Sequence, residues 1–84
     1  MTLNILYFAG LREAIGTGRE SIAMPADTST VGALREHLAR LDEQHAMLRS
    51  TKNLRVAVNQ KMLGMDAAIA DGDEIAFFPP VTGG

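Results

Sequence analysis

The chain has 84 residues, 46% of them hydrophobic, which is enough for one compact domain and too few for two. Its formal net charge is −2 and its eight Lys and Arg residues are scattered along the chain, a pattern that argues against a nucleic-acid partner. It has no Cys, which removes disulfides, thiolate metal sites and Cys-based sulfur chemistry; with no basic leader and no apolar run of about 18 residues, it reads as cytoplasmic and without a membrane span.

Residues 3–9 (LNILYFA), bounded by Gly10, have the length and composition of a strand, and residues 19–24 (RESIAM) form a second, closed by Pro25. Between them, residues 11–15 make one helical turn or a wide loop before Gly16-Thr17-Gly18. From Val31 the apolar residues Leu34, Leu38 and Leu41 recur at helical spacing. Thr30 stands ready as N-cap, although position 33 lacks the Glu or Gln of a capping box. Residues 54–59 (LRVAVN) alternate like a strand. Asp71-Gly72-Asp73 is a turn feeding a last strand at 74–78, which Pro79-Pro80 ends.

The order strand, strand, helix, strand, strand predicts an α+β fold of ubiquitin-like β-grasp type. Its sheet is mixed, of four to five strands on one main helix, with a domain over 1–78 and an extended tail over 79–84. In that layout the first and last strands lie side by side in mid-sheet, so the tail leaves from a rigid element.

Residues two apart in a strand point the same way. If Leu3, Ile5 and Tyr7 face the helix with Leu54, Val56, Val58, Ile75 and Phe77, then Leu6, Phe8, Ala57, Ala76 and Phe78 face away. A sheet covered on one side only needs a polar outer face, and this one is largely apolar. Either a loop such as 61–70 folds over it or a partner covers it, and the contiguous apolar patch favours the partner.

Pro79 and Pro80 hold the stem of the tail near an extended path, which Val81, Thr82, Gly83 and Gly84 continue. Six extended residues reach about 20 Å, enough to enter another protein's active site. Glycine leaves no Cβ to block a narrow channel or hinder attack at the terminal carbonyl. A carboxylate is a poor electrophile until a nucleotide-consuming enzyme activates it, and this chain has no phosphate-binding loop of its own.

The block Asp71-Gly72-Asp73-Glu74-Ile75-Ala76-Phe77-Phe78-Pro79-Pro80-Val81-Thr82-Gly83-Gly84 closely resembles the C-terminal signature of the small subunit of molybdopterin synthase. Tyr7-Phe8-Ala9, Leu11-Arg12-Glu13, Gly16-Thr17, Thr30-Val31 and Val56-Ala57-Val58-Asn59-Gln60 look like the same family at the same relative places. The resemblance implies that an E1-like enzyme adenylates the terminal glycine at the expense of ATP, and that a sulfurtransferase then leaves a thiocarboxylate there. The tail then enters the large subunit, in an assembly of two small and two large subunits, and donates sulfur to cyclic pyranopterin monophosphate during molybdenum cofactor synthesis. It further implies that Gly84 is the acyl carrier, that Gly83 provides clearance and that Phe8, Met62 and Phe78 contact the large subunit, flanked by Pro79, Pro80, Val81 and Thr82. The resemblance also implies that the chain binds no cofactor itself and turns nothing over alone.

Other polar residues rank lower. His37 and His45, with Asp42 between them, would share one side of a continuous helix, but no third metal ligand is obvious and solvated histidines are the ordinary outcome. Arg12, Lys52, Arg55 and Lys61 are candidates for docking an acidic partner, Arg12 first among them. Met24 and Met47 suit the core. Two other functions remain open: a related carrier or modifier, serving thiazole synthesis, tRNA thiolation or attachment to lysine, and a plain β-grasp interaction module.

Overall fold

In β1 (Thr2–Tyr7) the alternate residues Leu3, Ile5 and Tyr7 are buried, the pattern of a strand with one side on a core. It belongs to a five-stranded sheet in a computed structural model that describes residues 2–80; the predicted tail residues Val81, Thr82, Gly83 and Gly84 lie outside the described residues. β1 runs antiparallel to β2 (Arg19–Ala23) and parallel to β5 (Glu74–Phe78). β5 in turn pairs antiparallel with β3 (Arg55–Val58), which pairs with β4 (Lys61–Leu63). The order β2-β1-β5-β3-β4 is the mixed sheet expected of a β-grasp domain. It gives the last strand a neighbour on each side, so the path into Pro79 starts from a fixed direction.

One side of the sheet carries α1 (Gly10–Ile15), α2 (Val31–Ala39) and α3 (Met47–Ser50). Thr30 is extended at φ −131° and its Oγ1 accepts the Ala33 N–H at 3.2 Å, satisfying one orphan donor of α2 as expected. Val31, Leu34 and Leu38 are fully buried in one cluster with Leu3, Ile5, Tyr7, Leu54, Val56, Val58, Ile75 and Phe77, the inward set of the alternation. Met24 and Met47 pack against its edge. Asp71-Gly72-Asp73 forms the turn before β5: Asp71 Oδ1 accepts the Thr2 N–H, Asp73 Oδ2 accepts the Ala70 N–H, and Gly72 takes φ +88°, where a side chain would be strained.

The helical stripe is shorter than expected, the less favoured of the two alternatives for the outer face falls, and a further helix appears. α2 stops at Ala39, where the Arg40 N–H turns back to the His37 and Leu38 carbonyls; Leu41 therefore leaves the helical stripe and is 48% exposed. His37 and His45 consequently do not share a helix. Residues 61–70 do not fold over the outer sheet face. They first add β4 to the sheet edge and then pass behind α2, where the Val31 and Gly32 N–H groups donate to the carbonyls of Ala67 and Met65. Those bonds occupy donors that a helix start leaves unpaired, which explains the route. The third helix, α3, has no capping or periodic signal in the sequence; its C-terminal carbonyls are held by Arg35, whose guanidinium donates to Leu48 O at 2.6 Å and Thr51 O at 2.7 Å.

β1 also ends two residues sooner than its composition implies, because Ala9 adopts φ 52°, ψ −130°. That turn lets the Ala9 carbonyl accept the Arg12 and Glu13 N–H groups and start α1. A Cβ is disfavoured in this backbone region by roughly 1–3 kcal/mol. Ala9→Gly is therefore expected to raise stability by about 1 kcal/mol net of the glycine's extra unfolded-state entropy. Thermal melts check it; a lower Tm would show that the turn is not strained.

Candidate functional site

The outer face is built by strand register. Leu6 on β1 pairs with Ala76 on β5, Ala76 with Ala57 on β3, and Ala57 with Met62 on β4, so these four make one row across the sheet. Two small alanines in mid-row between larger end residues make a shallow apolar depression. Phe8 and Phe78 close one side of it, their rings stacked with centroids 4.7 Å apart. Phe8 is 41% and Met62 54% exposed, whereas the alanines are buried beneath their neighbours. Large side chains this open, in contact with one another and away from the core, form a patch rather than scattered surface apolar residues.

The three expected partner contacts Phe8, Met62 and Phe78 are thus brought together on one face. Pro79 and Pro80 follow Phe78 directly and are half-buried, so the tail stem begins beside the stacked rings. Arg12 lies around the corner rather than on the face: its side chain packs along Gly18, in a groove it shares with Phe8 and Arg19. Of the other cations, Arg55 pairs in register with Phe78 and so belongs to the outer face, while Lys61 opens β4 and Lys52 is exposed in the turn before β3. Val81, Thr82, Gly83 and Gly84 are not described.

His45 departs from its expected solvated state. It is 8% exposed, and its ring lies between two carboxylates, Nδ1 at 2.8 Å from Asp42 Oδ1 and Nε2 at 2.7 Å from Glu20 Oε2. The Tyr7 hydroxyl donates to the same Glu20 oxygen at 2.7 Å, so the cluster ties β1 and β2 to the segment after α2. The carboxylates sit on opposite edges of the ring and do not converge on a point where a cation would bind; among the described residues no group of three such side chains is placed to hold a metal ion. Glu20 alternates in phase with Ile22, and Asp42 precedes His45 by three, but neither spacing announces that the two meet through a third residue.

Burial pulls the imidazole's pKa down from its ordinary 6.5, and the hydrogen bonds and charges of Glu20 and Asp42 outweigh it, leaving a net rise. The His45 backbone N–H, then its ring, holds Asp42 below the usual carboxylate range, and burial aided by Glu20 pushes the Tyr7 hydroxyl up. An imidazole charged more readily folded than unfolded stabilises the fold fully below the unfolded value of about 6.5, and this contribution fades as pH rises through the higher folded value. Tm is accordingly expected to fall as pH rises above about 6.5. His45→Gln should flatten that slope, and an unchanged slope in the variant would assign it to other groups.

Comparison with known proteins places this geometry. Residues 5–84 match the ThiS family. The molybdopterin synthase sulfur carrier subunit of Haemophilus influenzae is 46% identical over 82 residues, covering 98% of this chain and 99% of that protein. The Escherichia coli protein of the same name is 45% identical with the same coverage. Among solved structures, small archaeal modifier protein 1 of H. volcanii superposes with a TM-score of 0.76 at 28% identity, over 95% of this chain and 98% of that one. With the β-grasp sheet, the apolar outer face and near-full-length relatives in agreement, the chain belongs to the ThiS family, among the sulfur carrier subunits of molybdopterin synthase.

Proposed function

We propose that Gly84 carries sulfur as a thiocarboxylate and that the outer sheet face docks the chain on the large subunit of molybdopterin synthase. The observation that carries the proposal is the apolar row from Leu6 to Met62, bordered by the Phe8–Phe78 stack from which the tail stem departs. Docking on that face aims the stem into the partner. Val81 and Thr82 then span the channel entrance, Gly83 gives clearance, and Arg12 supplies a cation at the rim.

In the proposed cycle an E1-like enzyme transfers the adenylyl group of ATP to the Gly84 carboxylate, releasing pyrophosphate. A sulfurtransferase then supplies sulfur, and AMP leaves. The thiocarboxylate sulfur bonds to cyclic pyranopterin monophosphate in the large subunit's pocket, where the pterin chemistry resides, and water then cleaves the acyl C–S bond and restores the Gly84 carboxylate. The small subunit contributes the carrier atom and its positioning; it binds no cofactor and turns nothing over alone. Two small and two large subunits would form the cytoplasmic assembly.

The test is intact mass after incubation with the activating enzyme, ATP and a sulfur source. A gain of about 16 mass units must be localised by fragmentation, because oxidation of any of the five Met residues adds the same mass. A gain at Gly84 followed by its loss on adding the large subunit and pterin is expected; a competent activator that leaves Gly84 unchanged would overturn the carrier role. The likeness to an archaeal modifier favours one second reading, isopeptide attachment of Gly84 to lysine. Its product would be branched peptides in the same fragmentation data.

A further inference from the structure

The hairpin between β3 and β4 turns in two residues, Asn59 and Gln60, with φ +51° and +70°. Positive φ at both positions marks the mirror-image turn that suits the twist of a hairpin, and the residue it prefers in second place is glycine. Asn59 is accounted for within the fold: its amide donates to Asp73 Oδ1 at 2.9 Å, and its Oδ1 accepts the Glu74 N–H at 3.0 Å. Gln60 is not. It is exposed, it holds a backbone conformation that costs a side chain about 1 kcal/mol, and its amide has no hydrogen-bond partner among the described residues. Yet it borders the same apolar depression as Met62 and Phe78.

A strained residue that gives the fold nothing and stands at the rim of a docking face is a candidate for a role in docking. Resting on the function proposed above, we infer that Gln60 is a specificity contact of the interface, pairing its primary amide with a peptide group of the large subunit. A carboxamide both donates and accepts, so it matches a peptide N–H and C=O together. Placed at the border of an apolar patch, that pair lies where interfaces concentrate their polar contacts and where it fixes register.

The proposal sets stability and affinity in opposition, which an ordinary turn residue would not do. Gln60→Gly is expected to raise the Tm of the isolated chain by up to about 4 °C, the relieved strain less the glycine's unfolded-state entropy. The same variant should weaken binding to the large subunit about tenfold in calorimetry, the loss of about two net hydrogen bonds. Gln60→Glu, which keeps the shape and removes the donor, should weaken binding at least as much. Phe8→Asp serves as the control on the docking face. If Phe8→Asp abolishes binding while both Gln60 variants bind within about twofold of wild type, this inference fails and the docking face stands. If no variant alters binding, the face itself is wrong and the inference falls with it. A lower Tm in Gln60→Gly would remove the strain on which the inference rests.

Discussion

Removal of Gly84 is expected to abolish sulfur transfer while leaving the fold and the encounter with the large subunit intact. The ladder between β5 and its neighbours ends at Phe78, and the core cluster of the described residues runs from Leu3 to Phe77. Stability should therefore change by less than about 0.5 kcal/mol. Chemistry is another matter. Shortening an extended tail by one residue retracts its carboxyl by about 3.5 Å. Misplacing a reacting atom by about 1 Å already costs on the order of 100-fold, so the loss should exceed that figure even if Gly83 could be activated in its place. Gly84→Ala keeps the reach and adds one methyl group, so it separates distance from clearance. A moderate loss would indicate a channel that tolerates a Cβ; a loss equal to truncation would indicate one that does not. Measuring thiocarboxylate formation and pterin conversion separately locates the block. A truncated chain that still converts pterin would end the carrier assignment for this residue.

Much of this was legible in the sequence because the governing signals are local. Alternation in β1, β3 and β5 separates the inward set from the outward one, and the register then carries the outward set into a single row. Thr30 is a cap because its hydroxyl reaches a donor three residues on, a relation that spacing alone conveys. What escaped depends on contacts distant in the chain. β4 has three exposed residues and exists because Val56 to Val58 offer it an edge. α3 is one turn whose end is held by Arg35, 13 residues or more away. His45 was expected in solvent because nothing in its own segment reveals Glu20, 25 positions earlier. In the sequence Gln60 stands out only within the family-like run 56–60; its role at the hairpin comes from a backbone angle, which composition does not disclose.

Phe8→Asp is expected to weaken binding to the large subunit by more than about 100-fold, the larger of the two effects predicted for the outer face. In the free chain the substitution is mild. Phe8 contributes to no core cluster, and the loss is its stack on Phe78, about 0.5–1.5 kcal/mol. In the complex the same carboxylate would enter a patch centred on Leu6, Ala57, Met62, Ala76 and Phe78, none of which can hydrogen-bond it; of the polar lining residues, Gln60 stands at the rim and Glu74 is itself a carboxylate. Burying an unpaired charge costs several kcal/mol, far above the 2.7 kcal/mol that 100-fold represents, so the carboxylate either stays hydrated and holds the surfaces apart or is neutralised at similar cost. Arg55, in register with Phe78, is the cation on the same face, while Arg12 and Arg19 share the adjoining groove with Phe8. The double variant Phe8→Asp with Arg55→Ala should therefore bind no better than the single one. Calorimetry of each variant against the large subunit, with a melt as control for folding, checks the expectation. Binding by Phe8→Asp within about fivefold of wild type would show that the partner seats elsewhere, and the approach of the tail would then have to be set by the groove of Arg12 and Arg19 rather than by the apolar row.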